Sequence, residues 1–456
     1  MSETLRTDVL VLGWGKAGKT LAGALGRAGR SVTIVEQSAD MVGGTCINIG
    51  CVPTKALVHQ ANERRDGDDP AAWFARAVDA RDTLIGKLNA ANRQMLETVD
   101  AVRVVVGGRA SFTGPKQVRV TGGDEELDIV ADTIIINTGA LPRRLDIPGG
   151  DGPRVHDSTS IQHADPFPGS LAVVGGGPIA LEFASMFAGF GAQVTVLERG
   201  ERLLRGEDAD LADSVAEALT NRGVEIRTGT EVLGVEDDGV SVTVHLADGD
   251  RVMAHAVLAA VGRVPATDGL GLAAAGIETD AAGAVVVDDH LRTNVEGVFA
   301  VGDVNGGLQQ TYISYDDHRI LLDQLTGTGA RSRSDRVAVP MTTFTTPPFA
   351  RVGESEEALR AKGADITVHA KPVAAIAAMP RPKTLGETHG LIKLCVDPAT
   401  DLVLGAALHT VDAQELVNLV ALAMRAGVTA SELRDGIWTH PSTTEALNEV
   451  LAAPVR

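Results

Sequence analysis

Residues 8–18 read Asp-Val-Leu-Val-Leu-Gly-Trp-Gly-Lys-Ala-Gly, an apolar run followed directly by glycines at three positions. Such a run bounded by glycines predicts a buried strand that ends in a tight turn. The residues after the turn predict a helix to about residue 29 and then a second apolar strand over residues 31–36, which ends in glutamate. The segment therefore predicts a strand–turn–helix–strand unit.

The same order of elements recurs in the middle of the chain, which indicates an internal duplication. Residues 171–174 are apolar, residues 175–180 read Gly-Gly-Gly-Pro-Ile-Ala, and a predicted helix to about residue 191 precedes a strand that ends in Glu198. In each unit, glycine lets the backbone approach a pyrophosphate, the helix N-terminus offers unpaired N–H groups, and the terminal acid accepts hydrogen bonds from ribose hydroxyls. Two such units predict two dinucleotide-binding sites.

The length of the chain and its segment boundaries predict three domains. The chain has 456 residues, more than the roughly 250 to 300 that one hydrophobic core serves. We assign residues 1–150 and 285–336 to a first dinucleotide-binding domain, 151–284 to a second, and 337–456, with strand-like runs and an amphipathic helix, to a third. The predicted fold class is α/β, with two Rossmann-like domains and a C-terminal α+β domain.

Composition and charge limit the classes of partner. The net charge is −19, and both signs are dispersed along the chain rather than collected in a basic stripe, which argues against nucleic acid and anionic membranes as partners. No apolar run approaches the roughly 18 residues of a membrane-spanning helix. The first seven residues lack the basic and apolar regions of a signal peptide, so we expect a cytoplasmic location.

The three cysteines do not predict a structural disulfide framework, because a reducing cytosol would not maintain one. Four residues separate Cys46 from Cys51, a spacing that by itself fits two core cysteines or half of a metal site. Zinc requires about four ligands, and Cys395 stands alone in an apolar strand, which disfavours a metal. Pro53 and Thr54 predict a helix that starts near Cys51, where a helix N-terminus stabilises a thiolate. The pair is therefore a candidate redox centre.

Residues 43–55 read Gly-Gly-Thr-Cys-Ile-Asn-Ile-Gly-Cys-Val-Pro-Thr-Lys. This stretch resembles the active-site signature of the class I pyridine nucleotide-disulfide oxidoreductases, the family of glutathione reductase, lipoamide dehydrogenase and mercuric reductase, and the similarity extends over essentially the whole chain. The resemblance implies a glutathione reductase-like fold whose last domain forms a homodimer. It also implies an enzyme that passes a hydride from NAD(P)H through FAD to a redox-active disulfide of Cys46 and Cys51.

The resemblance gives each residue of the redox centre a role. Cys51 would be the thiolate in charge-transfer contact with the flavin, and Cys46 would be the interchange thiol that attacks the substrate. Lys55 and Glu182 would form an ion pair beside the flavin, which agrees with the need of a buried lysine on the redox helix for a partner. Two unrelated surface charges are the alternative for this pair.

Near the C-terminus, His440 is followed by proline, and Glu445 lies five residues on. On the residues alone, this His-Pro pair fits a loop. The resemblance implies instead an acid–base dyad, in which the glutamate orients an imidazole that moves a proton to and from the interchange thiol. In the family the dyad serves the disulfide of the partner subunit, which implies a homodimer with two-fold symmetry.

The resemblance also implies which residues bind the two cofactors. FAD would bind the first unit through Gly13, Gly15, Gly18, Glu36, Gly44, Thr45, Lys55, Thr138, Gly139, Gly302 and Asp303, the last at a ribityl hydroxyl. The nicotinamide nucleotide would bind the second unit through Gly175, Gly177, Ala180, Glu198, Arg199 and Gly262. No metal site is predicted, since His389, His409 and Cys395 fit core or interface residues better than copper ligands.

The choice between NADH and NADPH depends on the end of the second unit. Glu198 favours NADH, because a carboxylate accepts hydrogen bonds from both ribose hydroxyls and repels a 2′-phosphate. Arg199, Arg202 and Arg205 follow closely, and guanidinium groups suit a phosphate, so NADPH remains open as a donor. Alternatively, these arginines belong to a solvated loop in which their charges are balanced by Glu201, Glu207 and Asp208.

Three stretches predict the electron acceptor. Residues 15–20, 46–51 and 304–319 resemble the reactive-chlorine-resistance branch of the family, which includes bacterial hypothiocyanous acid reductases and has been linked to Cu(II) reduction. The chain ends without a cysteine pair, so we expect a small oxidant to meet Cys46 directly. A low-molecular-weight disulfide reductase or dihydrolipoamide dehydrogenase is the alternative. The intact cysteine pair, Lys55, Glu182 and His440 speak against a non-catalytic flavoprotein sensor or scaffold.

Overall fold

The structure, a computed structural model, describes residues 4–123 and 126–455. These residues form two compact units. The first comprises the chain up to Leu57, Arg76–Arg143 and Gly262–Asp335, and the second comprises Val58–Ala75, Arg144–Val261 and the chain from Arg336 onward. The boundaries between three domains that we infer from the sequence remain a prediction.

The strands follow the apolar runs of the sequence and are numbered in chain order. They are β1 Thr4–Leu12, β2 Val32–Glu36, β3 Val102–Val106, β4 Arg109–Gly114, β5 Gln117–Thr121, β6 Leu127–Ile136, β7 Ala140–Pro142, β8 Val155–His156, β9 Ser170–Val174, β10 Gln193–Leu197, β11 Glu225–Arg227, β12 Val232–Asp237, β13 Val242–Leu246, β14 Arg251–Ala254, β15 Ala256–Ala259, β16 Arg263–Pro265, β17 Val298–Ala300, β18 Met341–Thr343, β19 Phe349–Gly353, β20 Thr367–Pro372, β21 Leu391–Val396 and β22 Val403–His409.

The helices connect and cover these strands. They are α1 Lys16–Arg27, α2 Thr45–Asn48, α3 Cys51–Glu63, α4 Pro70–Glu97, α5 Pro178–Phe190, α6 Ala209–Asn221, α7 Thr311–Thr326, α8 Glu356–Ala361, α9 Arg381–Leu385, α10 Ala413–Ala426, α11 Ala430–Arg434 and α12 Ala446–Val450. Within residues 4–123 and 126–455, no helix combines the length and the apolar character that a membrane crossing requires.

The first unit is built on a sheet in the order β3-β2-β1-β6-β5-β4, with β17 beside β6. β1 pairs in parallel with β2 and β6, and β17 pairs in parallel with β6, whereas β4, β5 and β6 run antiparallel. The side chains of Val9–Leu12 are buried on both faces of β1, as in a parallel sheet that is covered on both sides. The predicted strand–turn–helix–strand unit, β1-α1-β2, is confirmed.

The second unit contains a parallel sheet in the order β11-β10-β9-β15-β8 and a small antiparallel sheet, β12-β13-β14. β9, α5 and β10 are the second predicted strand–turn–helix–strand unit. The ring of Phe74 packs against those of Phe167, Phe187 and Phe190, with centroids 5.1 to 5.7 Å apart, and so fixes the start of α4 against α5. The duplication that the sequence predicts is therefore confirmed.

The C-terminal part of the second unit is an antiparallel sheet in the order β18-β19-β22-β21-β20. α10 covers this sheet, and its apolar face contributes Val417 and Val420 to a core shared with Leu394 of β21 and Leu408 of β22. Apolar positions on α10 recur with helical spacing, which is why the helix buries one face. Together with the mixed sheet of the first unit and the parallel sheet of the second, this region confirms the predicted α/β class with a C-terminal α+β domain.

Candidate active site

The first glycine turn packs against the residue that follows β6. Gly13 has a φ of +97°, and a Cβ at this position would collide with the carbonyl oxygen of Asn137. The N–H of Gly18 donates to Asn137 Oδ1 at 2.8 Å, and Asn137 Nδ2 donates to the carbonyl of Val301 at 2.8 Å. Asn137 therefore joins the turn to β6 and β17. It is absent from the sequence-based set of site residues, although its place after an apolar strand and before Thr-Gly is a usable signal.

Glu36 is buried at the end of β2, beside the same turn. Its Oε2 accepts the N–H of Trp14 at 2.9 Å, and its Oε1 accepts the N–H of Ser38 at 3.2 Å. Burial raises the pKa of Glu36, while these backbone hydrogen bonds oppose the shift. A carboxylate placed here can accept hydrogen bonds from ribose hydroxyls. The N-terminus of α1, which begins directly after Gly15, can receive a pyrophosphate.

Four residues predicted for the first cofactor follow the adjacent strands β6 and β17, namely Thr138, Gly139, Gly302 and Asp303. Gly139 lies beside Thr45, whose Oγ1 is 3.8 Å from the position of an added Cβ. The carboxylate of Asp303 is half-buried and accepts no hydrogen bond from the described part of the chain. Burial raises the pKa of Asp303, Arg263 lowers it, and the charge of Asp317 raises it again. A half-buried acceptor of this kind fits a ligand hydroxyl.

The two cysteines lie at neighbouring helix starts. Cys46 is half-buried in α2, and Cys51, the first residue of α3, is exposed. Their thiols form a hydrogen bond, and Cys51 Sγ lies 3.4 Å from the hydroxyl oxygen of Thr311, the first residue of α7. The hydrogen bond with Cys51 and burial raise the pKa of Cys46, and the effects of Thr311 and Lys19 are smaller and opposite. Burial and the hydrogen bond with Cys51 therefore favour the protonated form of Cys46. Neither Thr311 nor Lys19 was predicted as a site residue.

Lys55 and Glu182 belong to different units of the chain. Lys55 is half-buried on α3, one helical turn after Cys51. Glu182 is on α5, and its Oε1 accepts the N–H of Phe344 at 2.8 Å. Their pairing beside a cofactor remains a prediction.

The structure brings together His440 and Glu445. His440 Nδ1 lies 2.8 Å from Glu445 Oε1, and Glu445 Oε2 accepts the N–H of Ser442 at 2.8 Å. Burial alone would raise the pKa of Glu445, but the hydrogen bonds from His440 and Ser442 hold it below its usual value. The imidazole side chain is 69% exposed. The carboxylate thus orients the ring and leaves the second ring nitrogen available for proton transfer.

The second glycine turn repeats the geometry of the first. Gly175 has a φ of +121°, and a Cβ there would lie 2.5 Å from the carbonyl oxygen of Ala260, just after β15. α5 begins directly after Gly177, and Ala180 in its first turn is buried. This helix N-terminus can therefore receive a second pyrophosphate. Gly262, the last glycine of the predicted set, belongs to the first unit, where its carbonyl accepts the N–H of Arg143 at 2.9 Å.

Glu198 ends the second unit as Glu36 ends the first. Its buried carboxylate accepts the N–H of Gly200 at 2.6 Å. Arg199, together with Thr230 and Asp248, lines a cavity of about 310 Å³. Thr230 also donates its N–H to the carbonyl of Glu198 at 2.9 Å. The cavity is therefore adjacent to the backbone of Glu198.

Two of the three arginines near Glu198 are engaged by carboxylates. Arg205 pairs with Glu198 itself. Arg202 pairs with Glu357 of α8, with its Nη2 3.0 Å from Oε2. The ion pairs of these two arginines are thus formed with Glu198 and Glu357 rather than with Glu201, Glu207 or Asp208. Arg199 is the arginine that lines the cavity.

The residues considered as copper ligands have other partners. Ser214 contacts both histidines, with its Oγ 2.8 Å from His409 Nδ1 and its carbonyl 2.9 Å from His389 Nε2. Burial, and then the neighbouring His389, lower the pKa of His409 to about 3. Cys395 is buried in β21. Among the residues that the structure describes, no group of three or more His, Cys, Asp or Glu side chains is placed to hold a metal ion.

Comparison with protein families assigns nearly the whole chain. Residues 7–317 match the family described as pyridine nucleotide-disulphide oxidoreductase, and residues 339–451 match its dimerisation domain. This chain is a pyridine nucleotide-disulphide oxidoreductase. The family is FAD-dependent and uses pyridine nucleotides, so the predicted enzyme class is confirmed. The dimerisation domain indicates that the oxidoreductase is a homodimer, as in its family.

Similar proteins place the oxidoreductase within its family. It is 44% identical over 446 residues to the probable pyridine nucleotide-disulfide oxidoreductase RclA of Escherichia coli K12, across 98% of each chain. It is 32% identical to glutathione reductase of Burkholderia cepacia, across 96% of this chain and 97% of that protein. The solved Cu(II) complex of the HOCl-induced flavoprotein disulfide reductase RclA from Escherichia coli has a TM-score of 0.93 and 43% identity, and covers 98% of this chain and 99% of that one. The predicted branch and the glutathione reductase-like fold are confirmed.

The first unit of the oxidoreductase fits FAD. The glycine turn before α1 packs so closely against Asn137 that it leaves no space for side chains at its glycines. Glu36 is held by two backbone N–H groups at the end of β2, and a carboxylate here can accept hydrogen bonds from ribose hydroxyls. Asp303 offers a half-buried carboxylate that no hydrogen bond from the described residues satisfies. These features suit a dinucleotide with a polyhydroxyl chain.

Proposed function

We propose that the oxidoreductase reduces a small oxidant, with hypothiocyanous acid as the substrate, through FAD and the Cys46–Cys51 pair. The observation that carries the proposal is the hydrogen-bonded contact of these two thiols at Thr311, in a chain 44% identical to RclA over nearly its whole length. RclA is described as an HOCl-induced flavoprotein disulfide reductase and was solved as a Cu(II) complex. Reduction of Cu(II) is therefore proposed as a further activity.

The residues of the first unit would hold FAD, which supplies, when bound, two-electron transfer from the nicotinamide to the cysteine pair. The N-terminus of α1 would bind the pyrophosphate, Glu36 the adenosine ribose and Asp303 a ribityl hydroxyl. Lys55 and Glu182 would pair at the flavin. Thr311 would donate a hydrogen bond to the Cys51 thiolate and so keep this sulfur charged.

The two cysteines would divide the chemistry with the oxidant. His440 of the partner subunit takes the proton of the Cys46 thiol, and the resulting thiolate attacks the sulfur of hypothiocyanous acid. The leaving hydroxide takes this proton back from the imidazolium and leaves as water. Cys51 then attacks the sulfur of Cys46, forms the disulfide and displaces thiocyanate. Two thiols are oxidised to one disulfide, and the oxidant is reduced to thiocyanate and water. Glu445 keeps the imidazole oriented throughout.

NADH is the preferred donor in this proposal. Glu198 is buried at the end of the second unit, where a carboxylate accepts from both ribose hydroxyls and repels a 2′-phosphate. Arg202 is held by Glu357, and Arg205 is held by Glu198, so neither guanidinium is free of a carboxylate. Binding of a phosphate would have to compete with these ion pairs.

The test is an NADH-oxidation assay with purified, FAD-loaded enzyme and four acceptors: hypothiocyanous acid, glutathione disulfide, lipoamide and Cu(II). We expect the highest kcat/KM with hypothiocyanous acid. Cys46→Ser should abolish this activity, whereas Cys395→Ser, at a buried cysteine remote in sequence, should leave it unchanged. A higher kcat/KM with lipoamide or glutathione disulfide would reject the proposed substrate and establish the alternative function.

A further inference from the structure

The backbone of the redox loop, which we define as Val42–Cys46, is anchored by a buried lysine. Lys19 of α1 is 5% exposed, and its Nζ donates to the carbonyl of Gly43 at 3.0 Å and to Asn92 Oδ1 of α4 at 2.6 Å. Gly43 has a φ of +101°, so its carbonyl is turned in a way that most other residues do not adopt. Lys19 therefore fixes a part of the loop whose conformation favours glycine, three residues before Cys46.

Asparagine side chains hold the neighbouring carbonyls of the same loop. Asn48 Nδ2 donates to the carbonyls of Val42 at 2.9 Å and Gly44 at 3.0 Å. Asn89, one turn before Asn92 on α4, donates from Nδ2 to the carbonyl of Val42 at 3.1 Å. The carbonyl groups of three successive residues are thus each held by side-chain donors, which come from α1, α2 and α4. Among these donors, Lys19 is the one that carries charge.

The ammonium of Lys19 has neutral acceptors where a buried lysine ordinarily has a carboxylate. Its hydrogen-bond acceptors are a backbone carbonyl and an amide oxygen, and within the described residues no carboxylate pairs with it. A buried charge with neutral partners is costly. The ammonium of Lys19 can therefore stabilise an anion that forms nearby.

Cys46 is the ionisable group near Lys19 that can become such an anion. The charged and titratable groups that face Lys19 are Lys16 and Cys46, and those that face Cys46 are Cys51 and Lys19. Burial and then Lys16 lower the pKa of Lys19 to about 8, while Cys46 raises it. Conversely, Lys19 lowers the pKa of Cys46. The hydrogen bond with Cys51 and burial have the opposite effect and favour the protonated thiol.

We propose that Lys19 is a positioning residue for the redox loop, which holds the backbone before Cys46 and stabilises the Cys46 thiolate when it forms. The proposal rests on the proposed function in so far as Cys46 is the interchange thiol. Lys19 acts on the thiol and not on the oxidant, so its effect should be independent of the identity of the acceptor.

The test measures the reactivity of Cys46 directly. The FAD-loaded enzyme is reduced with dithiothreitol, freed of reductant and alkylated with iodoacetamide between pH 6 and 10, and labelling of the Cys46 peptide is followed by mass spectrometry. Lys19→Met removes the charge at similar length, and we expect labelling at pH 7 to slow by about tenfold, with its midpoint at higher pH. The matched control is Lys87→Met, at an exposed lysine of α4, which should label like the wild type.

A second variant keeps the proposal testable if Lys19→Met does not fold. Asn92→Asp is isosteric and places a carboxylate on the Lys19 ammonium, so it should also slow labelling, by roughly three- to tenfold. A wild-type labelling profile in either folded variant would overturn the proposal. Loss of FAD from Lys19→Met with an unchanged Cys46 profile would also overturn it, and would assign the lysine to the cofactor. The assay uses neither nicotinamide nor oxidant, so its result is separate from the acceptor assay.

Discussion

At the scale of single residues, the two thiols differ in what surrounds them. Cys51 is exposed at the first residue of α3, where the helix N-terminus and the hydroxyl of Thr311 favour a thiolate. Cys46 is half-buried, and both its burial and its hydrogen bond with Cys51 favour the protonated thiol. The surroundings therefore support the assignment of Cys51 as the resting thiolate of the reduced pair.

This assignment predicts opposite spectra for two serine variants. A thiolate that lies against bound FAD gives a long-wavelength absorption band, so Cys51→Ser should abolish this band after reduction by NADH. Cys46→Ser should retain it even before reduction, because Cys51 then has no disulfide partner and stays a thiolate. Absorbance spectra of the two purified variants check the prediction, and the reverse result would exchange the two roles.

Glu198 carries a second prediction at this scale, which concerns the choice of nicotinamide nucleotide. Glu198→Ala removes a ribose acceptor and a charge that repels a 2′-phosphate, and it also releases Arg205 from its ion pair. The ratio of kcat/KM for NADPH to that for NADH should rise by a factor that corresponds to about 1 to 3 kcal/mol. Steady-state kinetics with both nucleotides measure the ratio, and Glu201→Ala, an exposed acid of the same loop, is the control. A wild-type preference of tenfold or more for NADPH would show that Glu198 is not the discriminator.

At the scale of elements, a buried lysine joins the start of α6 to the C-terminal sheet. Lys393 of β21 is 2% exposed, and its Nζ lies 2.9 Å from Asp208, 2.6 Å from Asp210 and 3.2 Å from Glu356. Asp208 also accepts the N–H groups of Glu356 and Glu357 at the start of α8. The carboxylate of Asp208, the residue before α6, thus serves the start of α8 and one lysine, so the segment at α6 and the C-terminal sheet are held at a shared junction.

Lys393→Met should therefore destabilise the protein at neutral pH by about 3 to 5 kcal/mol, because it leaves buried carboxylates without their cation. Burial would raise the pKa of Asp208, but the N–H of Glu357 and the Lys393 ammonium hold it below its usual 3.8. A lowered folded pKa gives stability that is present above the unfolded value and is lost as the pH falls through the folded value. The difference from the wild type should thus narrow below about pH 4. Denaturant unfolding at several pH values measures it, with Lys362→Met at an exposed ion pair as the control; equal loss in both variants would contradict the prediction.

Local sequence patterns were sufficient for the elements and for part of the site. Apolar runs and glycines predicted both strand–turn–helix–strand units. Glu36 and Glu198 were predicted because an acid is expected at the end of the second strand of each unit. Residues that act through distant contacts were not found. Asn137 bonds Gly18 across 119 residues, and Thr311 meets Cys51 across 260. The residues around Lys19 do not predict its role, because its partner Asn92 lies on a helix whose position the sequence predicts only approximately.

At the scale of the whole molecule, the proposed reaction needs groups from two separate parts of the chain. The cysteine pair lies in the first unit, and the His440–Glu445 dyad lies in the second. His440→Ala should leave reduction of the enzyme by NADH nearly intact, because the imidazole takes no part in that step. It should slow reoxidation of the dithiol by roughly 10²- to 10⁴-fold, the usual contribution of a general acid. Stopped-flow traces separate the two half-reactions, and an equal loss in both would remove His440 from this role.

A homodimer allows a test of which subunit supplies the His440–Glu445 dyad to a given cysteine pair. The test uses a heterodimer that carries His440→Ala in one subunit and Cys46→Ser in the other and is isolated with two affinity tags. This heterodimer contains one intact cysteine pair and one intact imidazole, which are on different chains. If the dyad serves the partner's disulfide, these two groups meet in one complete site, and the heterodimer should turn over at about half the wild-type rate per dimer. Both parent homodimers lack a complete site and serve as the controls. If the dyad serves its own subunit, neither site of the heterodimer is complete, and its activity should be as low as that of the parents.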